Sequence, residues 1–111
     1  GRARLYGILF DTDSAVIKSE SKPVLDDVVK LLKSEAAWSL LIEGHTDATG
    51  GSAHNQTLSQ QRAEAVKAYL SAGGIVAGRL TCAGFGQSKP VAGNDTELGR
   101  AQNRRVELVR K

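Results

Sequence analysis

The sequence predicts a single small domain of mixed α and β structure, with its elements in the order βαβαββ. Three observations carry this. Short apolar runs show strand character, two longer stretches repeat their apolar residues at helical spacing, and turn-forming residues punctuate the boundaries. The 111 residues fit one domain spanning 1–111, with a core of about residues 5–109.

The first apolar run, residues 5–10, stops at Asp11-Thr12-Asp13-Ser14 and reads as a strand feeding a turn. Ser21-Lys22-Pro23 opens a helix, because proline is tolerated in the first turn. Val24, Leu25, Val28, Leu31 and Leu32 then form an apolar stripe, and Asp26, Asp27, Lys30 and Lys33 fill the other face. Residues 38–44 form a second strand with Trp38, Leu40 and Ile42 on one side. A small polar loop to His54 leads to a helix over about 55–72, with Asn55 as the expected N-cap and Gly73-Gly74 as the stop. Residues 79–84 form a third strand, and 85–99 a long turn-rich connection. Residues 103–109 form the last strand, with Val106 and Leu108 on one face. Strands alternating with helices imply parallel neighbours in a sheet covered on one side. The direction of the closing strand stays open, since no long helix precedes it.

Composition narrows the function classes. At 41% apolar and 24% charged residues, general disorder is excluded. A net charge of +3 suits an anionic partner, but only 5% aromatic residues argue against stacking on nucleic-acid bases. Cys82 is alone, so no internal disulfide forms and an inert, buried thiol is expected. No run approaches the ~18 apolar residues of a membrane-spanning helix. The chain, without a visible signal peptide, reads as a piece of a longer protein.

One residue breaks its helix pattern. Leu58, Ala65, Val66, Tyr69 and Leu70 form the stripe of the second helix, and Arg62 stands four residues from both Leu58 and Val66. Arg62 therefore points along the core face, where a guanidinium is costly unless oxygen atoms meet it. Asp47 follows the second strand, and Asp11 and Asp13 follow the first. One lip of the sheet then gathers Asp11, Asp13, His45, Asp47 and Asn55 above Arg62, at the edge where alternating β/α sheets bind ligands. Two compatible readings follow. Either Arg62 and Asp47 form a buried pair that ties loop to helix, or they are the poles of a pocket for a zwitterion.

Other chemistries find less support. His45, Asp47 and His54 lack the spacing of an established metal motif, so no metal or other cofactor is expected. Ser59, His45 and Asp47 can be written as a hydrolase triad, but the nucleophile-elbow motif is missing and no catalytic residue is expected. The glycine pairs form no phosphate loop. Arg104 and Arg105 alternate on a strand, so one at most joins a given pocket and the other reads as a solvated edge residue.

The spelling of several segments is informative together: Phe10-Asp11-Thr12-Asp13, Glu43-Gly44-His45-Thr46-Asp47, the stretch from Asn55 through Leu58 and Ser59 to Arg62-Ala63, Gly84-Phe85-Gly86 with Pro90, and Gly99 through Asn103-Arg104-Arg105-Val106-Glu107. In order and spacing they resemble the OmpA-like domain shared by outer membrane protein A, peptidoglycan-associated lipoprotein and the flagellar stator protein MotB. The resemblance implies an α+β fold, a two-layer α/β sandwich with a mixed four-stranded sheet, two main helices on one face and the last strand antiparallel to its neighbours. It also implies a non-catalytic module that binds peptidoglycan through meso-diaminopimelate in the stem peptide, in the periplasm of a Gram-negative cell, anchoring a protein most often associated with the outer membrane. By the same resemblance Asp13, Asp47, Thr49, Asn55, Leu58, Arg62 and Arg104 form the ligand site, supported by Phe10, Asp11 and His45.

Overall fold

The computed structural model describes residues 3–111, with side chains from residue 7 onward. The side chains of Leu5 and Tyr6, part of the first predicted strand, lie outside the described residues. The elements are β1 (Ala3–Leu9), α1 (Lys22–Ser34), β2 (Leu40–Gly44), α2 (Ser52–Ala72), β3 (Leu80–Gly84), α3 (Glu97–Asn103) and β4 (Arg105–Arg110). Single 3-10 turns precede α1 and β3.

The four strands form one sheet in the order β1-β4-β2-β3. β4 is antiparallel to both β1 and β2, and β2 is parallel to β3. The sheet is therefore mixed, as the resemblance implies. The expectation of parallel neighbours holds for β2 and β3, which α2 connects. It fails for β1 and β2, because β4 lies between them.

Alternation divides the sheet into two faces. Ile8, Leu40, Ile42, Val106 and Leu108 point to one side, and Leu25, Val28 and Leu32 of α1 with Ala63, Val66 and Leu70 of α2 cover them in one continuous core. Burying side chains of this kind contributes about 1.5–3 kcal/mol each relative to leaving them in water. Trp38 precedes β2 and packs at the margin of this core, with the Arg110 guanidinium 4.3 Å above its ring. Gly44 and Gly84 let α2 lie close on the sheet: a Cβ on Gly44 would stand 1.8 Å from the Ser59 carbonyl oxygen, and one on Gly84 would stand 2.7 Å from Ser59 Oγ. This crossing fixes the height of α2 above the ends of β2 and β3.

Two expectations need correction. α2 starts three residues earlier than periodicity suggests, with Gly51 as its N-cap, so Asn55 lies inside the first turn. The connection after β3 contains α3, whose N-cap Thr96 accepts a hydrogen bond from the Gly99 N–H. The stop at Gly73-Gly74 stands as read, with Gly74 at φ +107°.

Candidate functional site

The C-terminal ends of β1 and β2, the start of α2 and the α3–β4 junction meet around a cavity of about 310 Å³. Asp13, Asp47, Thr49, Asn55, Leu58, Arg62 and Arg104 all line it, so the structure brings together the whole predicted ligand set.

Arg62 is the buried floor of the cavity, at 0% exposure. The expected direct pair with Asp47 is not its anchor. The guanidinium donates instead to three main-chain carbonyls: Nε to Ser14 O at 2.7 Å, Nη1 to His45 O at 2.9 Å and Nη2 to Asp11 O at 3.0 Å. A guanidinium carries five N–H donors, so two remain beyond these three bonds. Burial lowers its pKa to about 10, opposed by the nearby charge of Asp47 and reinforced by Arg104, so it stays cationic at neutral pH. The Phe10 ring packs behind it, 5.3 Å from the guanidinium carbon.

Asp47 is held from two sides. Its Oδ1 accepts the Thr49 N–H at 2.9 Å, and its Oδ2 meets Arg104 Nη1 at 3.2 Å. Arg104 reaches past it to Glu97 Oε2 at 2.8 Å and donates Nε to the Phe10 carbonyl. The hydrogen bond that Arg104 donates to Glu97 raises the pKa of Arg104 further, and Arg104 in turn lowers that of Glu97. Asn55 does not cap its own helix. Its Nδ2 donates to the carbonyls of Asp47 and Thr49 and to Gln87 Oε1, closing the loop between β2 and α2 over the start of α2.

Of the supporting residues, Asp11 and His45 act through their main chains. The Asp11 carbonyl receives Arg62, while the Asp11 carboxylate turns outward to Lys18 at 3.3 Å. His45 likewise offers its carbonyl to Arg62, but its ring lies on the other face of the sheet, stacked on Phe85 with centroids 5.5 Å apart. Neither ring nitrogen meets a hydrogen-bond partner among the described residues. Burial, and then the charge of Arg105, push the pKa of this imidazole down to about 4.

On that second face Glu43, His45 and Glu107 present ligand-type atoms within 4.8 Å of one another. Arg105 already occupies the cluster: its Nε contacts Glu107 Oε2 at 2.6 Å and its Nη2 donates to the Lys89 carbonyl. Arg105 is thus buried at 6% exposure and is no solvated edge residue, because β4 is an internal strand. The catalytic triad written on paper is not assembled either. Ser59 Oγ donates to Gln56 O and accepts from Gly86 N, on the opposite face from the His45 ring. Cys82 is half-buried, and its thiol is pushed up to about 11 by burial and by Glu64, so it stays protonated at neutral pH.

Sequence reasoning missed several members of the site. Thr12, Thr46 and Gly50 line the cavity. Glu97 and Asn103 organise it from α3, where the Asn103 side chain clasps the backbone of Val91 and Ala92. Thr96-Glu97, a cap residue followed by an acidic first-turn residue, was the available signal. His54 also lines the cavity, with Nε2 2.6 Å from Asp13 Oδ1. A wider, shallower groove of about 630 Å³ runs along the outer side of α2. Its lining is mostly glutamine and methyl groups with the carboxylate of Glu64, and it lacks paired opposite charges.

Comparison with known proteins bears on the family and the fold. The model of the OmpA family matches residues 9–104. The chain is 43% identical over 100 residues to outer membrane porin F of Pseudomonas fluorescens, covering 90% of this chain and 31% of that protein. It is 44% identical over 110 residues to photosystem I P700 chlorophyll a apoprotein A2 of Gloeobacter violaceus, covering 94% of this chain and 13% of that protein. It thus spans less than a third of either relative. The crystal structure of the peptidoglycan-associated lipoprotein from Burkholderia pseudomallei superposes with a TM-score of 0.92 at 37% identity, covering 95% of this chain and 89% of that one. By family match, fold and sequence identity, this chain belongs to the OmpA family.

Proposed function

We propose that this domain binds peptidoglycan noncovalently and without catalysis, through the meso-diaminopimelate of the stem peptide, and so anchors an envelope protein to the cell wall from the periplasm. The observation that carries the reading is Arg62: a buried guanidinium held only by neutral carbonyls, at the floor of a cavity that also presents Asp47 and Asp13. Diaminopimelate ends in a carboxylate and an ammonium on one carbon. The remaining Arg62 donors answer the carboxylate, and Asp47 with Asp13 answers the ammonium. A site of this kind discriminates against ligands that lack one charge, because a protein group then loses its partner in a desolvated place. Peptidoglycan of the lysine type, which lacks the side-chain carboxylate, therefore binds more weakly. The names of the relatives, an outer-membrane porin and a peptidoglycan-associated lipoprotein, support an outer-membrane setting for the parent protein.

The test is a calorimetric titration with a diaminopimelate-containing muropeptide. Binding is expected for the native domain, with a loss on the order of 2–5 kcal/mol for Asp47→Ala, as for truncating one side of a buried charge pair. No binding at millimolar muropeptide, with the fold intact by circular dichroism, excludes the reading.

A further inference from the structure

The rim of the cavity holds a second ionisable contact that the pocket reading leaves unused. His54, in the first turn of α2, faces Asp13, in the turn after β1, with Nε2 and Oδ1 2.6 Å apart. Both line the cavity, and both side chains stay more than half exposed, so the contact is reversible and open to solvent. Asp13 is held at φ 52°, in the left-handed region, which fixes the direction in which its carboxylate leaves the turn.

The charged groups lining the cavity are few. Arg62 and Arg104 supply two positive charges, and Asp13 and Asp47 supply two negative ones. With His54 neutral these cancel, and a zwitterion of zero net charge is matched at both ends. With His54 protonated the cavity carries one excess positive charge, and the imidazolium already occupies the carboxylate that a ligand ammonium requires.

We infer that His54 is a specificity-determining residue of this pocket: its imidazolium competes with a ligand's ammonium group for Asp13. The inference rests on the zwitterion reading above and adds its regulation by pH. Affinity for a zwitterion then rises with pH as the imidazolium gives up its proton. A ligand with the carboxylate alone shows no such rise. The chain has two histidines, and His45, whose pKa burial lowers to about 4, is neutral at both pH 5.5 and pH 8. Because the His54–Asp13 contact is exposed, the effect is that of a surface ion pair, about two- to fivefold in affinity.

The experiment titrates the native domain at pH 5.5 and pH 8 with two probes: a muropeptide ending in meso-diaminopimelate, and the same muropeptide acetylated on the distal amine. The first is expected to bind about two- to fivefold more tightly at pH 8, and the second to show no gain. His54→Ala and His54→Gln, neither of which can acquire the charge, are expected to lose the pH ratio, with the affinity of each at pH 5.5 equal to its own at pH 8. An unchanged ratio in both variants overturns the role of His54 and leaves the zwitterion reading standing. Failure of the muropeptide to bind the native domain at pH 8 overturns both.

Discussion

Two buried arginines, one on each face of the sheet, solve the same problem in opposite ways. Arg105 sits on the face away from the helices and lies 2.6 Å from the carboxylate of Glu107. Arg62 sits on the helix face and meets only the carbonyls of Asp11, Ser14 and His45 in direct contact. Each guanidinium nitrogen of both makes at least one hydrogen bond, which offsets the cost of burial. Only Arg105 also has its charge matched at contact distance. Carbonyl dipoles solvate Arg62 without neutralising it, so its field remains available to a ligand. At an effective dielectric of about 20, a carboxylate 4 Å away gains about 4 kcal/mol from such a charge. A buried cation on carbonyls therefore keeps more attraction for an incoming anion than a buried cation already on a carboxylate.

Substitution of the two arginines tests this contrast most strongly. Arg62→Ala should lower stability by about 3 kcal/mol in urea denaturation, since three carbonyls lose donors at roughly 1 kcal/mol each. It should also weaken muropeptide binding by on the order of a hundredfold or more. Arg105→Ala should lower stability by about 3–5 kcal/mol, as for breaking a buried pair from one side. The folded fraction of Arg105→Ala should nevertheless bind muropeptide within about twofold of the native domain, a surface-scale effect. A large loss of affinity in this variant would break the comparison, because the charge of Arg105 would then also serve the ligand.

The imidazole of His45 gives a smaller and pH-dependent effect on the same second face. Its folded pKa of about 4 lies below the ordinary 6.5, so the unfolded chain binds a proton that the folded chain refuses. This contribution to stability is complete above about 6.5 and declines as pH falls toward 4. The thermal midpoint should drop across that window, and His45→Gln should flatten the drop. The smallest effect is expected at the edge of the cavity. Glu97→Gln removes one partner of Arg104 at an exposed position, and should change muropeptide affinity by less than about fivefold. A larger change would mean that Glu97 sets the position of Arg104 over Asp47.

Periodicity and apolar runs were enough to find β1, α1, β2, α2 and β3, and the stripes of α1 and α2 are the ones that cover the sheet. Periodicity was enough to single out Arg62, because a charge in an apolar stripe is visible without coordinates. Its partners were not legible. Three carbonyls from separate turns converge on Arg62 only after the sheet and α2 have packed, and no side-chain pattern records where a carbonyl points. Asn55 was misread for a related reason: it has the chemistry of a cap but spends its amide on the carbonyls of the preceding loop. α3 was missed because seven residues with a glycine at the third position carry too little apolar repeat. The antiparallel direction of β4 came only from the resemblance to a known family, and its central position was not read at all, since local sequence does not encode which strands become neighbours.

That central position has a consequence for the order in which the cavity forms. Among the described residues β1 hydrogen-bonds to no strand other than β4, about a hundred residues later in the chain, and the Phe10 N–H reaches the Arg104 carbonyl across a similar gap. Contacts so distant along the chain close slowly, because the entropy of a long loop is lost before they form. α2 and the β2–β3 pair can associate early, with Arg62 already on its helix. The carbonyls of Asp11 and Ser14 and the guanidinium of Arg104 come to rest only when the last strand slots between the first two. The cavity thus draws on both ends of the chain, and its lining is complete only when β4 lies in the sheet.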